Sequence, residues 1–210
     1  MSFASLVRKP FRYRYLNVSL YLIAVNVLVF AAGLAVPRLT LALALSPLAV
    51  ASGWVWQVVT YMFTHANFTH LLVNMLGIFF FGTQVERRLG SAEFLLYYLV
   101  SGTLAGVASV IIYMATGAWY TLLLGASGAV FALLLAFAVL FPQAIVYLYG
   151  FIPLRAPVMV IGYTALELGL QLFGARSNIA HLTHLAGFVV GLAYFPVRQG
   201  LNPFKRLLSK

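Results

Sequence analysis

Apolar residues fall in long runs along this chain, interrupted by charges, prolines and glycine-polar clusters, and without the short alternation of a half-buried sheet. A spanning helix needs about 20 mainly apolar residues. Cutting the chain at its interruptions predicts six such helices, approximately Asn17 to Val36, Phe68 to Val85, Phe94 to Ala115, Ala126 to Phe141, Pro157 to Phe173 and Ile179 to Pro196. The first run, from about Tyr15 to Pro37, can span and lacks an A-x-A-like exit, so it reads as a retained helix and not as a signal peptide. The fourth is short for a hydrocarbon core about 30 Å thick, which predicts a start recessed below the surface. Leu39 to Ala66 is apolar but broken by Pro47 and Gly53, and its Trp54 and Trp56 carry rings suited to the headgroup layer. That stretch is expected to lie partly sunk in the outer leaflet, with an ordinary external loop as the alternative. The predicted fold class is all-α, a polytopic membrane bundle with a membrane-embedded first loop and a short fourth helix.

Composition agrees on the solvent. Hydrophobic residues fill 63% of 210 positions and charged ones 8%, more apolar surface than a water-soluble domain of this size can hide in one core. The formal net charge of +10 raises the question of nucleic acid. The basic residues, however, sit at the ends of apolar runs and not in a stripe beside aromatic platforms, so a lipid bilayer is their expected partner and no nucleic acid is. Arg8, Lys9, Arg12, Arg14, Arg87, Arg88, Arg155, Arg198, Lys205, Arg206 and Lys210 share one side if both termini are inside, leaving Arg38 and Arg176 outside. This predicts a multi-pass protein of the cell membrane with cytoplasmic termini. It divides into a basic segment 1–16, a six-helix domain 17–197 and a basic tail 198–210. Cysteine is absent, which excludes disulfides, thiolate chemistry and cysteine-ligated metal.

Polar side chains within a bilayer are costly, and each one is a candidate for function. In the predicted topology His70 begins the second span, Ser127 begins the fourth, and His184 lies roughly 8 Å below the outer end of the sixth at 1.5 Å per residue. All three therefore occupy the outer part of the membrane. Asn74 follows His70 by one turn and shares its face. Ser127 stands in Gly125-Ala126-Ser127-Gly128-Ala129, where glycines permit a sharp turn into the helix and the helix start offers unpaired N–H groups to an oxyanion. Taken alone, that run also fits a small-residue packing motif. His184 shares a face with Gly187 and Gly191, a spacing that brings two helices together, and His181 lies one turn earlier.

The acids narrow the chemistry further. There is no aspartate, and Glu86, Glu93 and Glu167 are the three carboxylates, so a paired-aspartate mechanism is excluded. No H-E-x-x-H motif is present, and zinc held by His65, His70, His181 and His184 would lack a base beside it; no metal and no cofactor are expected. Glu167, inside the fifth span, reads as a hydrogen bond to an adjacent span. What remains is a serine–histidine dyad whose imidazole is oriented by packing.

Four motifs together resemble the rhomboid family from about Trp54 to Gly191: His70-Leu71-Leu72-Val73-Asn74, Glu86-Arg87-Arg88-Leu89-Gly90, Gly125-Ala126-Ser127-Gly128, and His184-Leu185-Ala186-Gly187 with Gly191. The resemblance implies a six-helix bundle around a water-filled cavity opening outward. It implies an intramembrane serine endopeptidase with Ser127 as nucleophile and His184 as base, and an oxyanion held by His70, Asn74 and the Ser127 backbone. Gly125, Gly128, Phe131 and Gly187 would support that site. The family often has tyrosine where Phe131 stands, stacked on the base, and a Trp-Arg pair in the first loop that is missing after Trp54 and Trp56. Substrates would be single-span or polytopic membrane proteins leaving lipid beside the second and fifth spans, with the loop near Gly174 as part of the gate. The competing readings are a non-catalytic rhomboid-like binder of membrane helices, which would lack the serine and base, and a small transporter with midplane histidines.

Overall fold

The computed structural model describes residues 8, 9, 11–148, 150–173 and 179–208. Each of the six apolar runs is helical. With no water to satisfy backbone groups in hydrocarbon, helix is the element that pairs them within its own segment. Helix α1 is Val18–Ala35, and the following loop holds α2 (Pro37–Leu43), α3 (Pro47–Ala51) and α4 (Gln57–Thr60). Then come α5 (Phe68–Leu89), α6 (Ser91–Ala115), α7 (Ser127–Leu140), α8 (Ala156–Phe173), α9 (Ile179–Tyr194) and the short α10 (Pro203–Leu207). Helices α1, α5 and α6 are long and apolar enough to cross a membrane, whereas α7 and α8 are shorter apolar helices. Arg176, Lys210 and the loop near Gly174 lie outside the described residues.

Two boundaries differ from expectation for a physical reason. The second helix runs past Val85 to Leu89 because its charge at Glu86 is not solvated but fully buried. Its Oε1 accepts the Val18 N–H at 2.7 Å and its Oε2 accepts the Ser19 N–H at 2.9 Å. Asn17 gives α1 no side-chain cap, so a carboxylate from another helix takes that place at the positive end of α1. The third helix starts at Ser91, three positions early, because Gly90 at φ +84° makes the whole turn between α5 and α6 by itself. Within α5, residues Ile78–Gly82 form a π-type turn that the apolar pattern does not announce.

Helix α7 is the centre of the bundle. Ten of its residues are buried, from Gly128 and Ala129 to Ala138 and Val139, and it packs against α5, α6, α8 and α9. At about 1.5 Å per residue its 14 residues reach about 21 Å, shorter than the hydrocarbon core. A helix shielded by its neighbours need not match the bilayer, whereas the outer helices expose Leu28, Val73, Phe80, Ile161 and Leu172 as a lipid-compatible surface. Prolines open α2 and α3, where their missing N–H is free of penalty, and Trp54 and Trp56 stack at 5.4 Å on the exposed side of the loop. One element departs from the all-α expectation among the described residues. Ile145–Leu148 pairs antiparallel with Ile152–Arg155 across a turn containing Gly150 at φ +84°.

Candidate active site

Helix α7 begins at Ser127, and Gly125 makes that start. Its φ is +116°, a conformation L side chains rarely adopt, and a Cβ there would come within 2.6 Å of the His70 ring. The Gly125 N–H is held by the Tyr61 carbonyl at 3.0 Å, which ties the turn to the first loop. No side chain caps α7. Its first N–H groups consequently have no intrahelical acceptor, and the positive end of the helix lies at Ser127.

His184 approaches from α9, with Nε2 at 2.8 Å from Ser127 Oγ. Close approach of the two backbones makes this contact. A Cβ on Gly187 would collide with the Gly128 carbonyl, and one on Gly191 would lie 3.2 Å from Ala132 Cβ and 2.5 Å from the Tyr97 hydroxyl. Phe131, one turn after Ser127, stacks on the imidazole with centroids 4.2 Å apart and planes 9° from parallel. Phe188 meets Phe131 edge-on at 5.1 Å, so the stacking ring is itself fixed. Replacing Gly187 by leucine is expected to push α9 from α7 and lower the cleavage rate by at least about 10²-fold, because a displacement of an ångström between reacting groups has that effect. Gel-based cleavage by the purified variant in proteoliposomes checks it, with Val189→Leu, on an exposed face of the same helix, as the neutral comparison.

His70 and Asn74 face the turn before Ser127 from α5. Asn67 caps this helix by accepting the His70 N–H at 2.8 Å, and Asn74 Nδ2 donates to the His70 carbonyl at 3.0 Å. The Asn74 amide nitrogen also lies 3.8 Å from where a Cβ of Gly125 would stand. His65, in the first loop outside the spanning segments, meets the His70 ring edge-on at 5.1 Å. Burial pushes its imidazole down to about 4, and His70 adds to the same effect, so His65 is neutral near pH 7 and brings no charge to this corner.

Packing is not the sole contact orienting His184. The Glu167 carboxylate, buried on α8, places Oε1 at 3.1 Å from His184 Nδ1 and Oε2 at 2.5 Å from His181 Nδ1. The contact to His184 is within hydrogen-bond distance but off the axis of the N–H. The sequence marked Glu167 as the acid inside a span and gave its partner only as an adjacent helix; which helix depends on how α8 is rotated about its axis. Glu167, His181 and His184 also form the described cluster whose donor atoms, all within 4.8 Å of one another, could share an ion. The four histidines do not gather into a site among the described residues: His65 pairs with His70, and His181 with His184.

Residues 52–199 match the family described as the Rhomboid domain. The chain is 35% identical over 164 residues to RHOMBOID-like protein 12, mitochondrial, of Arabidopsis thaliana, covering 71% of this chain and 48% of that one. It is 33% identical over 157 residues to rhomboid protease GlpG of Salmonella choleraesuis (strain SC-B67), covering 72% and 51%. A third relative, 36% identical over 146 residues and covering 69% and 67%, is YdcA of Bacillus subtilis (strain 168), whose name assigns it provisionally to the rhomboid proteases. The chain thus spans about half the length of the Arabidopsis and Salmonella relatives.

Proposed function

The chain belongs to the rhomboid family, and on that footing we propose that it is an intramembrane serine endopeptidase with Ser127 as nucleophile and His184 as general base. The observation that carries this reading is the 2.8 Å approach of His184 Nε2 to Ser127 Oγ, between side chains 57 positions apart, at an uncapped helix start. Nε2 accepts the hydroxyl proton as Oγ bonds to the substrate carbonyl carbon, and the carbonyl oxygen becomes an oxyanion. The Ser127 N–H, His70 and Asn74 surround that oxygen. Collapse of the intermediate breaks the peptide C–N bond, with the amine taking the proton from Nε2, and leaves an ester on Ser127. Water then attacks the ester by the same route, giving its proton to Nε2 and releasing the acid and the free serine. The reaction as written needs no cofactor. The His184 side chain is 15% exposed, so the base is not sealed inside the helix bundle.

In this reading the six helices are six membrane spans with both termini cytoplasmic. The loop carrying Trp54 and Trp56 sits in the outer leaflet, and the active site lies toward that face. A substrate helix leaves lipid beside α5 and α8 and unwinds locally, since helical carbonyls are already hydrogen-bonded and screened from attack. Helix-weakening residues near the outer end of the substrate span favour cutting. Co-expression with a panel of single-span membrane proteins, comparing the wild type with Ser127→Ala and sequencing the cut ends, tests the proposal. Fragments ending near the outer boundary of the substrate span, found with the wild type alone, are expected; equal fragments with both proteins overturn it.

A further inference from the structure

We infer that Glu167 is a positioning residue for the base, a third member that holds the His184 imidazole with its proton on Nδ1 and its lone pair aimed at Ser127. The inference rests on the protease reading for its kinetic consequence, though not for its geometry. In the neutral ring one nitrogen donates and the other accepts. Nε2 faces the Ser127 hydroxyl at 2.8 Å and must accept for the serine to be activated, so the ring proton belongs on Nδ1. Nδ1 of His184 is buried, and Oε1 of Glu167 stands 3.1 Å from it. The other carboxylate oxygen is occupied at 2.5 Å by Nδ1 of His181, one turn before His184 on α9.

A carboxylate suits this position because it has two acceptor oxygens and no donor, one oxygen for each N–H. His181 anchors the carboxylate, and the carboxylate in turn restrains His184. Stacking on Phe131 fixes the plane of the ring but is indifferent to which nitrogen carries the proton. Glu167 supplies what stacking lacks: a choice of tautomer, and a negative charge that stabilises the imidazolium formed during attack. The off-axis resting contact is in keeping with catalytic hydrogen bonds that align only when substrate is bound.

The test substitutes Glu167→Gln. An amide has one acceptor and one donor face, so it can serve His181 or His184 but not both as N–H donors. Two results are expected. The kcat falls roughly 10²-fold while KM changes less than about threefold, since the interaction acts in the transition state. Second, ¹⁵N NMR of histidine-labelled protein in nanodiscs shows His184 as the Nδ1–H form in the wild type and shifted toward Nε2–H in Glu167→Gln, with His184→Asn assigning the signal. Glu167→Asp, which keeps two acceptor oxygens, restores the Nδ1–H form.

The NMR measurement needs no substrate, so it decides on Glu167 even if no peptide is ever cut. A Glu167→Gln protein with wild-type tautomer and kcat within threefold overturns the inference. So does loss of wild-type activity on treatment with EDTA, which would assign the cluster to a bound metal.

Discussion

Cleavage is expected to be abolished in Ser127→Ala and in His184→Ala, each falling at least about 10⁴-fold, because members of such a unit act together and either loss removes nucleophilic attack. The serine change is the cleaner of the two. Its hydroxyl bonds the His184 ring, and deleting it leaves Phe131, Glu167 and the α7–α9 seam in place. Thermal unfolding should therefore move little. The histidine change also removes the stacking partner of Phe131 and one of the two rings on Glu167, so some loss of stability accompanies it. A fluorophosphonate probe separates the two effects, since it reacts with activated serines and asks nothing of substrate recognition. Wild type is expected to label at Ser127, Ser127→Ala not at all, and His184→Ala at about a hundredth of the rate or less. Wild-type labelling in the histidine variant would remove the base from the mechanism, and cleavage by the serine variant would remove the nucleophile.

What the sequence made legible is what hydrophobic length encodes. The six helices and the shortness of the fourth follow from runs of apolar residues and where they stop. The roles of Gly187 and Gly191 followed from spacing alone, because a three-residue gap returns to the same helix face. The hairpin from Ile145 to Arg155 was not anticipated, although Gly150 after the β-branched and aromatic run Ile145-Val146-Tyr147 was a usable sign. The reach of α5 to Leu89 was missed because a charged residue normally marks the end of a span, and Glu86 is instead inserted beneath the N-terminus of α1. Rotation of α8, and with it the partner of Glu167, is carried by no local pattern at all.

The three carboxylates share a logic that appears only in three dimensions. Glu86 joins α5 to the start of α1. Glu93, at the start of α6, accepts from the Tyr194 hydroxyl at 2.5 Å, Arg198 at 2.8 Å and Gln199 at 2.8 Å, fastening the end of α9 to α6. Glu167 joins α8 to α9 beside Ser127. A chain with so few acids spends each where two helices meet, since a buried carboxylate is stable only with several donors around it. Two of these junctions sit at helix ends distant from Ser127. The third touches His184, so its replacement is expected to read out in catalysis and not merely in folding.

The proposed oxyanion pocket carries the other large expected effect. His70→Ala and Asn74→Ala should each lower kcat by roughly 10²-fold with KM little changed, because donors aimed at developing charge act in the transition state. The double variant should fall by roughly 10³-fold, short of the product, since the Ser127 N–H and the positive end of α7 remain. The geometry behind this is the crowding at Gly125: the His70 ring and the Asn74 amide both stand against the turn that delivers Ser127, on the side where no side chain caps the helix. Asn74 has a second task, donating to the His70 carbonyl, so Asn74→Ala also loosens the first turn of α5. Asn74→Asp separates the tasks: it keeps the shape, loses both N–H donors and sets a negative charge beside the oxyanion, so it should be slower than Asn74→Ala. Stopped-time cleavage assays in proteoliposomes read all four proteins. An aspartate variant faster than the alanine one, or a double variant within about tenfold of the wild type, would place the oxyanion elsewhere.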